Sequence, residues 1–271
     1  MNEGRFELKY ALPLERRQEV LAAAWDHVQP DPNGAEISAL LPDDVLSSGP
    51  SPRGYRVCSL YLDTLDLQGY TERLAEARIR NRVRVRSYGL PGEVAPVFLE
   101  SKRKLHRNVV KHRIRVGDTQ AWSDGDSIRP WRDAVQNHGD PRGFARRWLD
   151  AVDGVDMRAV CHVTYVRETW VQGRCRLTID HDLRAHAWPD PRELQAHAAK
   201  PLLPPGWIVL ELKFNGAEPG WMRQLVMNLQ LMSEPVSKFA LGVVKTVRGA
   251  PPTELRRVTP PSLVRAERRA S

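Results

Sequence analysis

Runs in which charge and hydrophobicity alternate with period two constrain this chain more than any other feature. Successive side chains of a strand point to opposite faces. Arg5, Glu7 and Lys9 therefore share one face of the first run, and Phe6, Leu8 and Tyr10 the other. Arg82, Arg84 and Arg86 oppose Val83 and Val85, and Glu100 and Lys102 alternate with Leu99 and Ser101. Lys111, Arg113 and Arg115 oppose Val110, Ile114 and Val116. Arg167 lies on the face of Cys161, Val163 and Tyr165, Arg176 alternates with Leu177, and Glu211 and Lys213 alternate with Leu210, Leu212 and Phe214.

The charged faces of these runs carry twelve lysines and arginines, from Arg5 to Lys213, against only Glu7, Glu100 and Glu211. A face selected for solubility mixes its signs more evenly. The pattern predicts an α+β fold in which an antiparallel sheet closes into a barrel, with helices packed outside on the apolar faces and the charged faces lining a tunnel. Cations crowded there repel at on the order of a few kcal/mol per close pair in a partly dry site, unless a polyanion neutralises them. The three carboxylates would repel such a ligand. Mg²⁺ or Mn²⁺ resolves the conflict by bridging carboxylate and phosphate oxygens. The alternative is that each glutamate pairs with a neighbouring lysine or arginine.

Composition agrees with an anionic partner: the 271 residues carry a formal net charge of +8, with a pI near 9.7. One domain over residues 1–249 is expected, followed by a basic, proline-bearing, unstructured tail over 250–271. Further connectors fall at 29–54 and 188–205. Helices are expected over 13–27 with Pro13 in the first turn, 66–76, 141–152, 219–231, and 237–247 with Ser237 as its cap. No apolar run reaches the length of a membrane span and no apolar leader follows Met1, so a soluble cytoplasmic protein is expected. Cys58, Cys161 and Cys175 read as reduced buried thiols. His181 and His186 are spaced poorly for zinc, Asp180 and Asp182 are minor metal candidates, and the tryptophans, among them Trp122, Trp131, Trp148, Trp170, Trp207 and Trp221, read as core. Glycine-rich phosphate loops are absent from the sequence.

Six short motifs occur in an order that resembles the catalytic domain of the vacuolar transporter chaperone (VTC) family: Arg5-Phe6-Glu7-Leu8-Lys9-Tyr10, Ser59-Leu60-Tyr61-Leu62-Asp63-Thr64, Arg84-Val85-Arg86-Ser87-Tyr88-Gly89, Glu100-Ser101-Lys102, Glu211-Leu212-Lys213 and Ser237-Lys238-Phe239. That family belongs to the triphosphate tunnel metalloenzymes, also called CYTH-like, whose fold is an antiparallel barrel of about eight strands. The resemblance implies an ATP-dependent polyphosphate polymerase, moving the terminal phosphoryl group of ATP or another nucleoside triphosphate to phosphate or a growing polyphosphate chain. By motif position it implies Lys9, Arg84, Arg86, Lys102, Arg167, Arg176, Lys213 and Lys238 on phosphates, and Glu211 as leading metal ligand with Glu7 and Glu100 as helpers. Arg82, Lys111 and Arg113 join the phosphate set by parity. Hydrolytic branches resemble a Glu-x-Glu-x-Lys first strand, whereas Arg5 stands in the first position here. Triphosphate hydrolysis, nucleotide cyclisation and polyphosphate binding without turnover are the competing expectations, and nucleic acid ranks last because a duplex does not enter such a tunnel.

Overall fold

The computed structural model describes residues 5–41, 45, 51–90, 93–105, 108–119, 157–187, 199–247 and 252–270. They form one antiparallel sheet of eleven strands. These are β1 (Arg5–Pro13), β2 (Gln29–Pro30), β3 (Ala35–Glu36), β4 (Arg53–Thr64), β5 (Ile79–Gly89), β6 (Pro96–Leu105), β7 (Asn108–Asp118), β8 (Met157–Gln172), β9 (Cys175–Ala187), β10 (Lys200–Pro201) and β11 (Trp207–Asn215). The eight long strands run in the order β1-β11-β9-β8-β4-β5-β6-β7, and β2, β3 and β10 pair at its margins.

Seven of the eight long strands were legible as alternating runs, β4 being marked only by the Ser59–Thr64 motif, and the expected closure of the barrel is not found. Among the described residues β1 and β7 end the hydrogen-bonded order without pairing to each other. The two ends of the sheet still approach, since Lys102 on β6 reaches Glu7 on β1 at 3.7 Å. Closure needs free backbone groups on the edge, and part of that edge is taken: the Glu234 N–H donates to the Lys9 carbonyl at 2.7 Å.

The described helices are α1 (Arg16–Ala24), α2 (Gln68–Leu74), α3 (Gly220–Asn228), α4 (Lys238–Thr246), α5 (Pro252–Val258) and α6 (Pro261–Ala270). Val20 and Leu21 of α1 and Trp221, Met222 and Leu225 of α3 pack on Trp170, Ile179, Leu210 and Leu212. This is the expected arrangement of helices on the apolar face. Helix α4 departs from it, because it lies on the charged face of β8 and β9. A Cβ on Gly242 would stand only 3.1 Å from both Cys161 Sγ and Val163 Cγ2, so a larger residue there would have to push these side chains aside by a few tenths of an ångström. The cause is the mixed face of β8, whose apolar half, Cys161 and Val163, accepts a helix while Arg167 does not.

Local signals held elsewhere. Ser237 Oγ caps α4 by accepting the Ala240 N–H at 3.3 Å. Pro13 does not open a helix; it ends β1 opposite Trp207, and α1 starts at Arg16. The region 141–152 lies outside the described residues, as do Trp122, Trp131 and Trp148, whereas Trp170 and Trp221 are core. Of the three thiols only Cys161 is buried. The C-terminal stretch expected to be unstructured forms α5 and α6, with Pro252 and Pro261 in first turns where a missing N–H is harmless. Val258 and Leu263 are buried anchors, and Ser262 Oγ donates to Glu234 at 2.8 Å. Among the described residues no helix is long and apolar enough to cross a membrane.

Helix α1 is also fastened by charge. Arg17 donates to both oxygens of the fully buried Glu168 at 2.9 and 2.7 Å, and Trp170 Nε1 donates to the same carboxylate at 3.0 Å. Removing one partner strands the other charge in the core. Replacing Arg17 by methionine is therefore expected to lower stability by about 3–5 kcal/mol, read as a shifted urea midpoint at unchanged slope; a shift no larger than that of an exposed arginine would show that the pair contributes nothing.

Candidate functional site: a cationic cleft

Strand parity and register gather the charges. Arg84 faces Glu100 across β5 and β6, and Glu100 faces Arg113 across β6 and β7. Lys9 faces Glu211 and Glu7 faces Lys213 across β1 and β11, and Lys213 faces Arg176 across β9. The result is one cavity of about 330 Å³. Of the residues singled out in the sequence, all fourteen in the phosphate and metal sets line it: Glu7, Lys9, Arg82, Arg84, Arg86, Glu100, Lys102, Lys111, Arg113, Arg167, Arg176, Glu211, Lys213 and Lys238. Arg115 does not reach it, and the Arg5 side chain lies outside the described residues.

Two carboxylate centres organise these cations. Glu211, 2 % exposed, binds Lys238 at 2.8 Å, Arg167 at 3.0 Å, Lys9 at 3.1 Å, and also Lys213. Arg167 and Lys238 in turn hold the fully buried Asp180, each at 2.6 Å. Glu100 binds Arg84 at 2.6 Å and Arg113 at 3.5 Å, and accepts from the Tyr88 hydroxyl at 3.3 Å. Glu7 links the two groups through Lys9 at 3.4 Å and Lys102 at 3.7 Å.

Burial works to raise the Glu211 carboxyl, but Lys238, Lys9, Lys213 and Arg167 override it and hold it well below the usual carboxylate range. Glu100 behaves alike: against burial, Arg84 and Arg86 bring it down to about 2. Lysines with less compensation go the other way. Burial pushes Lys213 down to about 8 in spite of Glu211, and Lys102 down to about 8 in spite of Glu7. Arg82, for which no carboxylate stands within ion-pairing distance among the described residues, is lowered by burial to about 10.

Sequence reasoning passed over the tyrosines. Tyr55, Tyr61, Tyr88 and Tyr165 all line the cavity. The signal was present, since Tyr88 shares the parity of Arg84 and Arg86, and Tyr165 that of Arg167. Asp180 was undervalued because a strand-end aspartate reads first as a turn residue. His181 points away from the cleft to Glu168 at 3.2 Å while His186 packs against His162 at 4.8 Å, so the two histidines share no ligand site.

No cluster of three or more histidine, cysteine or acidic side chains suited to a metal exists among the described residues. Glu7 and Glu211 nonetheless flank one point, the Lys9 ammonium. That donor set fits a hard cation that takes one or two carboxylates and draws its other ligands from phosphate oxygens and water. It does not fit a metal held in an all-protein cage.

The two depressed lysines set a pH signature. Each is charged below about 8 and neutral above it, so affinity for inorganic tripolyphosphate is expected to fall as pH rises through that value, with proton uptake on binding. Calorimetry in two buffers of different ionisation enthalpy reads both; a flat affinity without uptake would mean that neither ammonium meets the anion.

No curated protein sequence matches the chain. Among solved structures, a candidate adenylate cyclase from Vibrio parahaemolyticus superposes with TM-score 0.43 and 10% identity over 89% of this chain and 98% of that one. A candidate adenylate cyclase from Bacillus halodurans gives 0.45 and 10% over 87% and 95%, and the Schizosaccharomyces pombe Mediator head module 0.40 and 8% over 83% and 90%. These superpositions are too loose to bear on activity. The VTC domain model, by contrast, matches residues 4–247, from the start of β1 to the end of α4. The chain belongs to the VTC domain family.

Proposed function

We propose that this chain is a polyphosphate polymerase that transfers the terminal phosphoryl group of ATP to phosphate or to a growing polyphosphate chain. The observation that carries this reading is the charge balance of the cleft, where eleven lysines and arginines meet three glutamates. Asp180, held by Arg167 and Lys238, and Asp31, held by Arg176, bring the acids that meet these cations to five, so the cations remain in excess by six, eleven against five. A linear polyanion is the ligand that such an elongated excess suits.

Phosphoryl transfer asks the protein for alignment and charge stabilisation rather than for a nucleophile. The acceptor phosphate oxygen, already anionic, bonds to the terminal phosphorus as the bond to the bridging oxygen breaks and ADP leaves. Arg84, Arg86 and Arg113 are assigned to one stretch of phosphates, where planar guanidinium groups bind oxygens bidentately. Lys9, Arg167, Lys213 and Lys238 are assigned to the stretch beside Glu211, with Lys102, Lys111, Arg82 and Arg176 completing the walls. Glu100, its oxygens engaged by Arg84, Arg113 and Tyr88, is assigned to spacing the arginines rather than to a metal. Mg²⁺ or Mn²⁺ held by Glu211 with Glu7 would neutralise charge developing between the transferring oxygens. Arg5 in the first position of β1 leaves this strand one carboxylate short of the hydrolytic pattern, which favours chain growth over hydrolysis. Residues 1–249 are taken as the catalytic unit, acting in the cytoplasm.

Purified protein given ATP with Mn²⁺ or Mg²⁺ is expected to make polyphosphate and ADP in step. Glu211→Gln and Arg84→Ala are each expected to slow this by about 10²–10³. Orthophosphate without chains would replace the proposal by a triphosphatase, cyclic nucleotide by a cyclase, and tight polyphosphate binding without turnover by a binding module.

A further inference from the structure

Phosphate chemistry calls for cations, yet one end of the cleft is built of rings. Along β5 the same face presents Arg82, Arg84, Arg86 and then Tyr88, a row of ~20 Å at the rise of a strand. Arg82 ends that row over the Phe239 ring of α4, 5.5 Å from its centroid. Tyr88 ends it in an aromatic group: Tyr55 meets it edge-on at 5.3 Å and Phe98 lies at 6.0 Å. All three rings are half-buried. The Arg113 guanidinium lies 3.6 Å from the centroid of Phe98 and 5.0 Å from that of Tyr88, so it covers the Phe98 ring and leaves Tyr55 and Tyr88 to line the cavity.

Resting on the reading of the cleft as a nucleoside triphosphate site, we propose that Tyr55 and Tyr88, which line the cavity and are backed by Phe98, form a stacking wall for the nucleobase, with the triphosphate running inward along the arginine row. The wall reads the face of a base and not its edge. Among the described residues lining the cavity there is no asparagine or glutamine, the side chains that pair bidentately with an adenine edge, so no amide side chain there singles out adenine. Stacking alone is tolerant of base identity and grows with ring area. The ligand class is therefore purine nucleoside triphosphates, with ATP and GTP held alike and pyrimidine nucleotides more weakly. Arg113 also reaches Glu100 at 3.5 Å, which places its guanidinium beside the wall, at the outer end of the arginine row.

Tyr55 is the cleanest probe, because its hydroxyl makes no hydrogen bond to a described residue and its ring can be removed without stranding a partner. Dissociation constants of the full chain for the β,γ-imido analogues of ATP and GTP, and for inorganic tripolyphosphate, are compared at fixed Mg²⁺. Tyr55→Ala is expected to weaken both nucleotides about tenfold and to leave tripolyphosphate unchanged, and Tyr55→Phe to restore the nucleotides. Should circular dichroism show that Tyr55→Ala does not fold, Phe98→Leu on the far side of the wall carries the same comparison. Equal weakening of tripolyphosphate, or no loss for the nucleotides, overturns the stacking wall and leaves the cleft a phosphate site. Failure of the unaltered chain to bind tripolyphosphate overturns the underlying reading, and this one with it.

Discussion

Eleven cations share a half-dry cleft, and a few carboxylates offset the repulsion that crowding them there entails. Two like charges 4 Å apart cost ~4 kcal/mol at an effective dielectric of about 20, an amount comparable with a large part of a domain's stability. Glu211 and Asp180 share Arg167 and Lys238 between them, and Glu100 gathers Arg84 and Arg113. Glu211 and Asp180 are buried and Glu100 half-buried, so each would itself be unfavourable without its cations. The two sets of charges make one another tolerable.

The same strands carry a second buried polar layer. Arg167 and Asp180 face the cleft, while their chain neighbours Glu168 and His181 face the other way, where Glu168 joins His181 to Arg17 of α1. Adjacent residues on opposite faces thus belong to two ion-paired networks separated by a single thickness of backbone. Helix α1 thereby buttresses the cleft from behind without a side chain in it. Helix α4 acts from the opposite side, its first residue Lys238 inserted between Asp180 and Glu211 and its body seated on Cys161 and Val163.

Parity made the lining of the cleft legible before any coordinates, because period two is a local property and Arg84, Glu100, Lys213 and the others obey it. Closure was not legible. Whether β1 and β7 pair depends on the tilt and register accumulated over eight strands, and on a competitor, the backbone of Glu234, that lies over two hundred residues from β1 in the chain. The position of α4 was hidden for a related reason. The face of β8 that carries Arg167 begins with Cys161 and Val163, and a single strand does not say which of these decides its neighbour. The folding of the last twenty residues into α5 and α6 was masked by composition, since prolines that sit in first turns look the same in sequence as prolines that break helices.

The internal ion pairs also make the cleft its own competitor. Glu100 and Glu211 occupy places on the arginines and lysines that an incoming anion would take, so binding is an exchange of partners rather than an addition of charge. A lone anion exchanges one contact and loses its translational freedom for it. Covalently linked anionic groups lose that freedom once while exchanging many contacts, as in any multivalent ligand. A surface that would otherwise attract every small anion in solution would in this way be set a threshold of valence, and would answer to the length of what enters it.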